Sequence, residues 1–373
     1  MTGHVLIDAS NLRTGGGLQV GASFLDELAE LIDAPDVRRR FPWMLSIDVD
    51  ASPEVLGNLR PGTVPKLSIR TRSSRPTQIS RWSGAARHDV AFTVFGPLYG
   101  RRRGRRQITG FADVVSIWDF PGQAANVSRQ RKARDALRSW LSRHFFRRDD
   151  RLVVEAPHVK VALSETWRIP PDRIDVVPNC VNAVFRDSTP PVAERAGWCY
   201  VTRAYPHKNL AFLGQISDEL RRRGITDIRF TLTLTNEEWS TLDERTRLAC
   251  DNVGPLRIGQ VPDLYARSEG AVFPSLLEAF SVTPLEAMFS GTPLVASARP
   301  FVQQVCGDAA TYAEPNDPSA WADAIVALRS NSVLRAQQVQ RGHEVAAAAN
   351  TPRQRALSYL KIIDNELRSI PSL

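Results

Sequence analysis

Apolar positions along the chain follow two alternating periods. Short unbroken apolar runs, of the kind buried parallel strands present, fall at residues 5–9, 43–49, 90–95, 114–118, 152–155 and 174–179, the last including its turn. They recur at 198–202, 228–234, 271–274 and 293–297. Between them the apolar residues return every three or four positions and predict helices: Val20, Phe24, Leu25 and Leu28 after the first run, then 128–148, 159–166, 237–249, 283–290, 318–328 and 352–368. Strands alternating with helices build parallel sheets covered by helices. The proline-bearing stretch 187–191 divides the pattern, and 373 residues exceed what one core usually serves, so two α/β domains are expected, 1–188 and 189–351.

The densest signal lies between Val272 and Ser297: strand, polar loop, helix, strand, with Gly291 as the helix stop. Thr283-Pro284-Leu285-Glu286 fits a capping box, with Thr283 at the N-cap, proline in the first helical position and Glu286 in the third. A helix start presents backbone N–H groups and a positive dipole end, which suit a diphosphate. Glu278 lies in the loop ahead. Pro284 keeps the two glutamates off one continuous helix, so both can converge on a ligand at the carboxyl end of the strand. A capping Glu286 beside a solvated Glu278 is the competing reading.

Arg203 and Lys208 flank a turn after the strand at 198–202, where two cationic donors also suit a diphosphate. Gly15, Gly16 and Gly17 follow the first strand in a glycine-rich turn. That turn lacks the Lys-Ser/Thr of a P-loop, so a tight turn without a ligand explains it equally well. Asp48-Val49-Asp50 has the form of a metal-binding Asp-x-Asp but is read as a strand-end feature, with no metal. The net charge of +8 is mainly arginine and is concentrated at Arg101–Arg106 and in the 128–148 helix, where Ala133, Leu137, Trp140, Leu141 and Phe145 form an apolar stripe. Such charge implies an acidic partner, either a phosphate-bearing substrate, an anionic membrane or nucleic acid; a core-packed helix with a solvated arginine face competes. The four cysteines are dispersed and expected to be reduced. No apolar run has transmembrane length and no signal peptide is evident, so a cytoplasmic location is expected.

The segment Glu278-Ala279-Phe280-Ser281-Val282-Thr283-Pro284-Leu285-Glu286, with Phe273-Pro274-Ser275 before it and Gly291-Thr292-Pro293-Leu294-Val295-Ala296-Ser297 after it, resembles the E-x7-E signature of retaining nucleotide-sugar glycosyltransferases of the GT-B architecture (glycosyl transferases group 1, family 4 type). Phe95-Gly96-Pro97 with Gly110-Phe111-Ala112 is similar to a bacterial polysaccharide subgroup. The resemblance implies two Rossmann-like domains facing each other across a cleft, with the final helix, 352–373, crossing back to the first. It implies that Glu286 holds the donor ribose, that Glu278 contacts the donor sugar, and that N–H groups near Ser281, Val282 and Thr283 hold sugar and phosphate. Arg203 and Lys208 would neutralise the departing diphosphate, Ile258 and Gly259 would border the base, and Gly15 to Gly17 would lie near donor phosphates and acceptor. Asp119 stands where many members carry a histidine and is the acceptor-side candidate. The implied activity is hexosyl transfer in cell-surface polysaccharide synthesis, from a UDP- or GDP-linked donor to a glycan or lipid-linked acceptor, without a cofactor or obligatory metal. Arg101–Arg106 and the 128–148 helix would then meet the inner face of the plasma membrane, with no nucleic-acid role. A nucleotide-sugar 2-epimerase and a non-enzymatic basic membrane- or nucleic-acid-binding protein are the alternatives.

Overall fold

The structure, a computed structural model, describes residues 3–72, 88–97, 99–118, 129–187 and 195–371. These residues divide into two compact units, one taking residues up to 118, 129–179 and 350–371, the other taking 180–187 and 195–349.

The first unit is built on seven strands: β1 (Val5–Ala9), β2 (Ile47–Ala51), β3 (Ile69–Thr71), β4 (His88–Thr93), β5 (Gly104–Phe111), β6 (Arg151–Val154) and β7 (Ile174–Val176). They pair in parallel in the order β3-β2-β1-β4-β5-β6-β7. Their order reverses between β1 and β4, and there Asn11 Nδ2 donates to the Phe95 carbonyl at 2.6 Å. Gly96 N–H donates to Gly110 O at 2.8 Å, a backbone approach so close that a Cβ on Gly110 would overlap the Val94 carbonyl. That contact gives the Gly110-Phe111-Ala112 motif a packing reason.

Helix Pro352–Arg368 belongs to this unit. Its Tyr359 ring packs against Phe24 and Phe92, each at 5.1 Å, and buried Arg355 donates to Asn179 Oδ1 at 2.6 Å. Glu366 pairs with Arg151 at 2.8 Å and with Arg106 at 3.1 Å.

The second unit has six parallel strands: β8 (Trp198–Tyr200), β9 (Phe230–Leu232), β10 (Cys250–Asn252), β11 (Gly270–Phe273), β12 (Leu294–Ser297) and β13 (Thr311–Ala313). Their order is β10-β9-β8-β11-β12-β13, with the reversal between β8 and β11. Buried Trp198, Tyr200, Phe212, Phe273 and Trp321 fill its core.

Several elements differ from expectation. Residues 43–46 lie in a 3-10 turn, Pro42–Ser46, ahead of β2, and 114–116 form another, Val114–Ser116, instead of a strand. Strands β3, β5, β10 and β13 fall outside the expected runs, and β5 begins inside the arginine run. Much of the charge of this run is taken up by the chain's own acids. Arg103 is buried between Asp8 at 2.8 Å and Asp50 at 3.3 Å. Arg102 pairs with Asp150, Arg106 with Asp150 and Glu366, and Arg105 with Asp89 at 3.6 Å. Removing buried Arg103 would take from Asp8 its ion pair, at a cost of about 3–5 kcal/mol, while Asp50 would keep Arg70 and Arg72. Asp48 is likewise bound to His88 (2.8 Å) and Arg70 (3.2 Å), so Asp48-Val49-Asp50 is an ion-paired stretch within β2. The expected helix 237–249 is two, Asn236–Ser240 and Glu244–Ala249, each capped by its own Thr235 or Asp243 side chain. Strand β10 lies ahead of Ile258 and Gly259, which sit in a 3-10 turn, Ile258–Gln260. All four cysteines are buried, and none of them forms a disulfide.

Gly110→Ala should destabilise the first unit by about 1–3 kcal/mol or more, through overlap with rigid backbone. Chemical denaturation of the purified variant measures it; an unchanged midpoint would mean that the Val94–Gly110 approach is not tight.

Candidate active site

In an open parallel sheet the carboxyl ends of two adjacent strands whose connections leave in opposite directions frame a crevice. In the second unit these strands are β8 and β11, and the sequence-predicted residues gather on the loops that leave them. From β8 the chain runs through Arg203 to a 3-10 turn, Pro206–Lys208, closed by Asn209 in the left-handed region. From β11 it runs through Ser275 and Glu278 to helix Thr283–Phe289, which ends at Gly291 with φ +60.

The two loops are bonded to each other. Lys208 Nζ lies 2.5 Å from Glu278 Oε1, and Ser275 Oγ donates to the same oxygen at 2.6 Å. The His207 carbonyl accepts from Leu276 N–H at 2.8 Å and from Ser275 Oγ at 3.2 Å. His207 is thus a turn residue holding the loops, with its ring stacked on Tyr205. The Lys208 ammonium also sits 5.7 Å from the centre of the Phe273 ring, an arrangement that favours a cation. The ion pair is mostly buried, each side chain retaining under 15 % of its exposure, 14% for Lys208 and 12% for Glu278.

Glu286 does not cap its helix. The N-cap is Val282 and no side chain caps it, so the expected capping box is absent; Thr283 is the first helical residue. The Glu286 carboxylate instead turns inward, 6% exposed, with Tyr265 Oη at 3.5 Å. Burial pushes its carboxyl up to about 7, against the opposing effects of the Tyr265 hydroxyl and the Lys208 charge. The influence of Lys208 ties Glu286 to the loop of β8. Tyr265 lies on helix Val261–Arg267, directly after the turn that holds Ile258 and exposed Gly259. Ser281 is buried, while Val282 and Thr283 are half-buried at the helix start.

Arg203 turns to the short helix after β9, Asn236–Ser240. Its Nε donates to both oxygens of Glu238, at 2.8 and 3.0 Å. Glu238, Tyr265 and Ser275 are the site residues that sequence reasoning missed. Thr235-Asn236-Glu237-Glu238 was readable as a capping box, but nothing local pointed to Arg203.

The remaining candidates belong to the first unit. Gly15, Gly16 and Gly17 form the first turn of helix Gly15–Leu31 and not a separate loop; its N-cap, Thr14, makes no side-chain cap, and a Cβ on Gly16 would meet open space. Asp119 lies outside the described residues. The neighbouring Trp118 ring stacks on His158 at 5.7 Å.

Residues 196–331 match the family model described as "Glycosyl transferases group 1". The O-antigen chain mannosyltransferase RfbU of Salmonella typhimurium is 29% identical over 174 residues, covering 45% of this chain and 47% of that protein. The O-antigen chain mannosyltransferase B of Escherichia coli is 31% identical over 173 residues, covering 43% and 42%. The chain therefore spans about half the length of the curated relatives it matches. Among solved structures, HepE of Anabaena, in complex with UDP-glucose, aligns with 99% of this chain and all of its own (100%) at a TM-score of 0.69 and 14% identity. The likeness fixes the fold: α/β, with two parallel-sheet units of the GT-B class.

A carboxyl group whose pKa rises on folding binds its proton more tightly folded than unfolded, so folding gains stability below pH 4.5 and loses it as pH climbs to about 7. Glu286→Gln should therefore be more stable than the wild type at pH 8, by up to about 3 kcal/mol, with the gap closing below pH 4.5. Urea midpoints at the two pH values measure this; a variant equally or less stable at pH 8 would show that Glu286 is not carried at a cost.

Proposed function

We propose that the protein is a retaining glycosyltransferase that moves a hexosyl group from a nucleoside-diphosphate sugar to an acceptor hydroxyl in the synthesis of a bacterial surface polysaccharide. The observation that carries this reading is the convergence, at the β8/β11 reversal, of the Lys208–Glu278 pair with a buried glutamate that neither caps its helix nor has a salt-bridge partner among the described residues. A buried carboxylate without a cation is costly unless its burial serves a ligand. Two vicinal hydroxyls would donate to Glu286 and favour its ionised form, as a ribose does. Because both curated relatives are named mannosyltransferases, a mannosyl donor is the first to test.

In this reading Lys208 and Arg203 offset the charge that builds on the departing diphosphate, with backbone N–H groups near Ser281, Val282 and Thr283 adding dipoles. Glu278, oriented by Ser275 and Lys208, binds the donor sugar beside the bond that breaks. The acceptor oxygen attacks on the face the diphosphate leaves, and its proton passes to the departing phosphate oxygen, so the anomeric configuration is retained. Ile258 and Gly259 border the base. A nucleotide-sugar epimerase would release isomerised sugar without an acceptor, which product analysis separates.

A panel of UDP, GDP, ADP, CMP and dTDP in EDTA tests the site. A bound nucleotide at about a hundred times its Kd adds roughly 2.7 kcal/mol, a measurable rise in melting temperature. One diphosphate should stabilise the chain, its hexose conjugate should support transfer with retained configuration, and Glu286→Ala should weaken binding at least tenfold. Stabilisation by none, with or without magnesium, would sink the reading.

We also propose a peripheral membrane position, supported by helix Arg129–Arg148 rather than by the arginine run 101–106. Leu137 (57% exposed) and Trp140 (61%) stand on its surface beside exposed Arg134 and Arg138, pairing apolar anchors with positive charge. Among the described residues no helix is long and apolar enough to cross a membrane. The wild type should float with anionic liposomes and Leu137→Ser/Trp140→Ser should not; equal flotation of both would remove this surface.

A further inference from the structure

Arg203 and Glu238 follow adjacent strands, β8 and β9, and their contact does more than neutralise charge. The Glu238 carboxylate accepts Arg203 Nε on both oxygens, at 2.8 and 3.0 Å, and also the N–H groups of Ala204 (3.2 Å) and Thr235 (3.0 Å). The Thr235 bond is half of a closed capping box, whose other half runs from Glu238 N–H to Thr235 Oγ1 at 3.2 Å. One carboxylate therefore fixes the backbone after β8, the backbone after β9 and a guanidinium between them. It grips that guanidinium at Nε only. Among the described residues no hydrogen bond engages Nη1 or Nη2 of Arg203, and the side chain keeps 33% of its exposure.

We propose that Glu238 is a positioning residue, which orients Arg203 through Nε so that both Nη groups face the donor diphosphate. The inference rests on the glycosyltransferase reading, in which Arg203 meets that diphosphate. A planar guanidinium grips two phosphate oxygens through paired N–H groups, and this needs a fixed plane. Tethering at Nε sets the plane before the ligand arrives, so less side-chain freedom is lost on binding. The tether is ionic at neutral pH: partial burial opposes ionisation, but Arg203 and the two backbone donors hold the carboxyl below its ordinary range. It also lowers the net positive charge at the site, exchanging some attraction for orientation.

Glu238→Gln separates the positioning role from the structural one. Glutamine keeps the size and one accepting oxygen, which can serve the Thr235 half of the capping box while the Ala204 bond is given up, so the melting temperature should fall by no more than the loss of one such bond. It removes the charge and turns N–H groups toward Arg203. With the full chain and whichever of UDP, GDP, ADP or dTDP stabilises it, titration calorimetry should show about tenfold weaker binding for Glu238→Gln and at least as large a loss for Arg203→Ala. The double variant should bind no more weakly than Arg203→Ala alone, and kcat should fall along with the affinity. Wild-type affinity in Glu238→Gln, or a loss that adds in full to that of Arg203→Ala, would overturn the positioning role while leaving the glycosyltransferase reading standing. If the wild type binds none of the diphosphates, that reading fails and the inference falls with it.

Discussion

Strands β8 and β11 lie side by side although β9 and β10 come between them in the chain, because the sheet grows outward from β8 in one direction and from β11 in the other. Helical connections of one hand then leave the two carboxyl ends on opposite faces, and no connection covers the gap between them. The two halves of the candidate site are brought together by this reversal. Lys208 and Glu278, separated by 70 positions, meet only because their loops start from neighbouring strand ends. The first unit has the same reversal between β1 and β4, where Asn11 bridges to the Phe95 carbonyl in place of an ion pair.

Charge within the chain is distributed unevenly between structural and available roles. The net +8 suggests a broadly basic protein, yet much of the arginine is neutralised where it stands. Arg103 lies under the first sheet between two aspartates, and Arg151 and Arg106 bind Glu366 of the last helix. At the site the balance is set differently. Lys208 and Arg203 are each held by a glutamate, whereas Glu286, among the described residues, has a tyrosine hydroxyl and the more distant charge of Lys208. Each held cation is fixed in place by its own glutamate, whereas the buried acid is carried without a salt bridge among the described residues.

The alternation of apolar runs and helical periods made the two-sheet architecture legible, since buried parallel strands have little besides their apolar content to display. It misled where tertiary contacts override that signal. β5 opens with Gly104-Arg105-Arg106, which reads as a charged loop until Asp89, Asp150 and Glu366 are brought alongside to pair with it. The run 114–118 is apolar enough for a strand but turns away after β5. Lys208, Glu278 and Glu286 could be found in the sequence because each lies in a recognisable local pattern. Their partners could not, because Ser275, Tyr265 and Glu238 look ordinary until the sheet order is known.

Two Thr-x-x-Glu segments in the second unit show how far such a local rule reaches. Thr235-Asn236-Glu237-Glu238 and Thr283-Pro284-Leu285-Glu286 have the same polar spacing, and both lie at the start of a short helix. The first closes as a capping box, with Thr235 in extended backbone geometry so that its hydroxyl faces the N–H of Glu238. The second does not. The residue before Thr283, Val282, is already helical at φ -80 and ψ -21, which moves the N-cap back by one and carries Glu286 around the helix to its buried face. A glutamate released from capping would ordinarily turn to solvent, yet this one lies under the helix start against Tyr265, at a cost in folding free energy above pH 4.5. Where the same motif satisfies its local rule in one place and breaks it at the strand reversal, the broken instance is the one that folding carries at a cost.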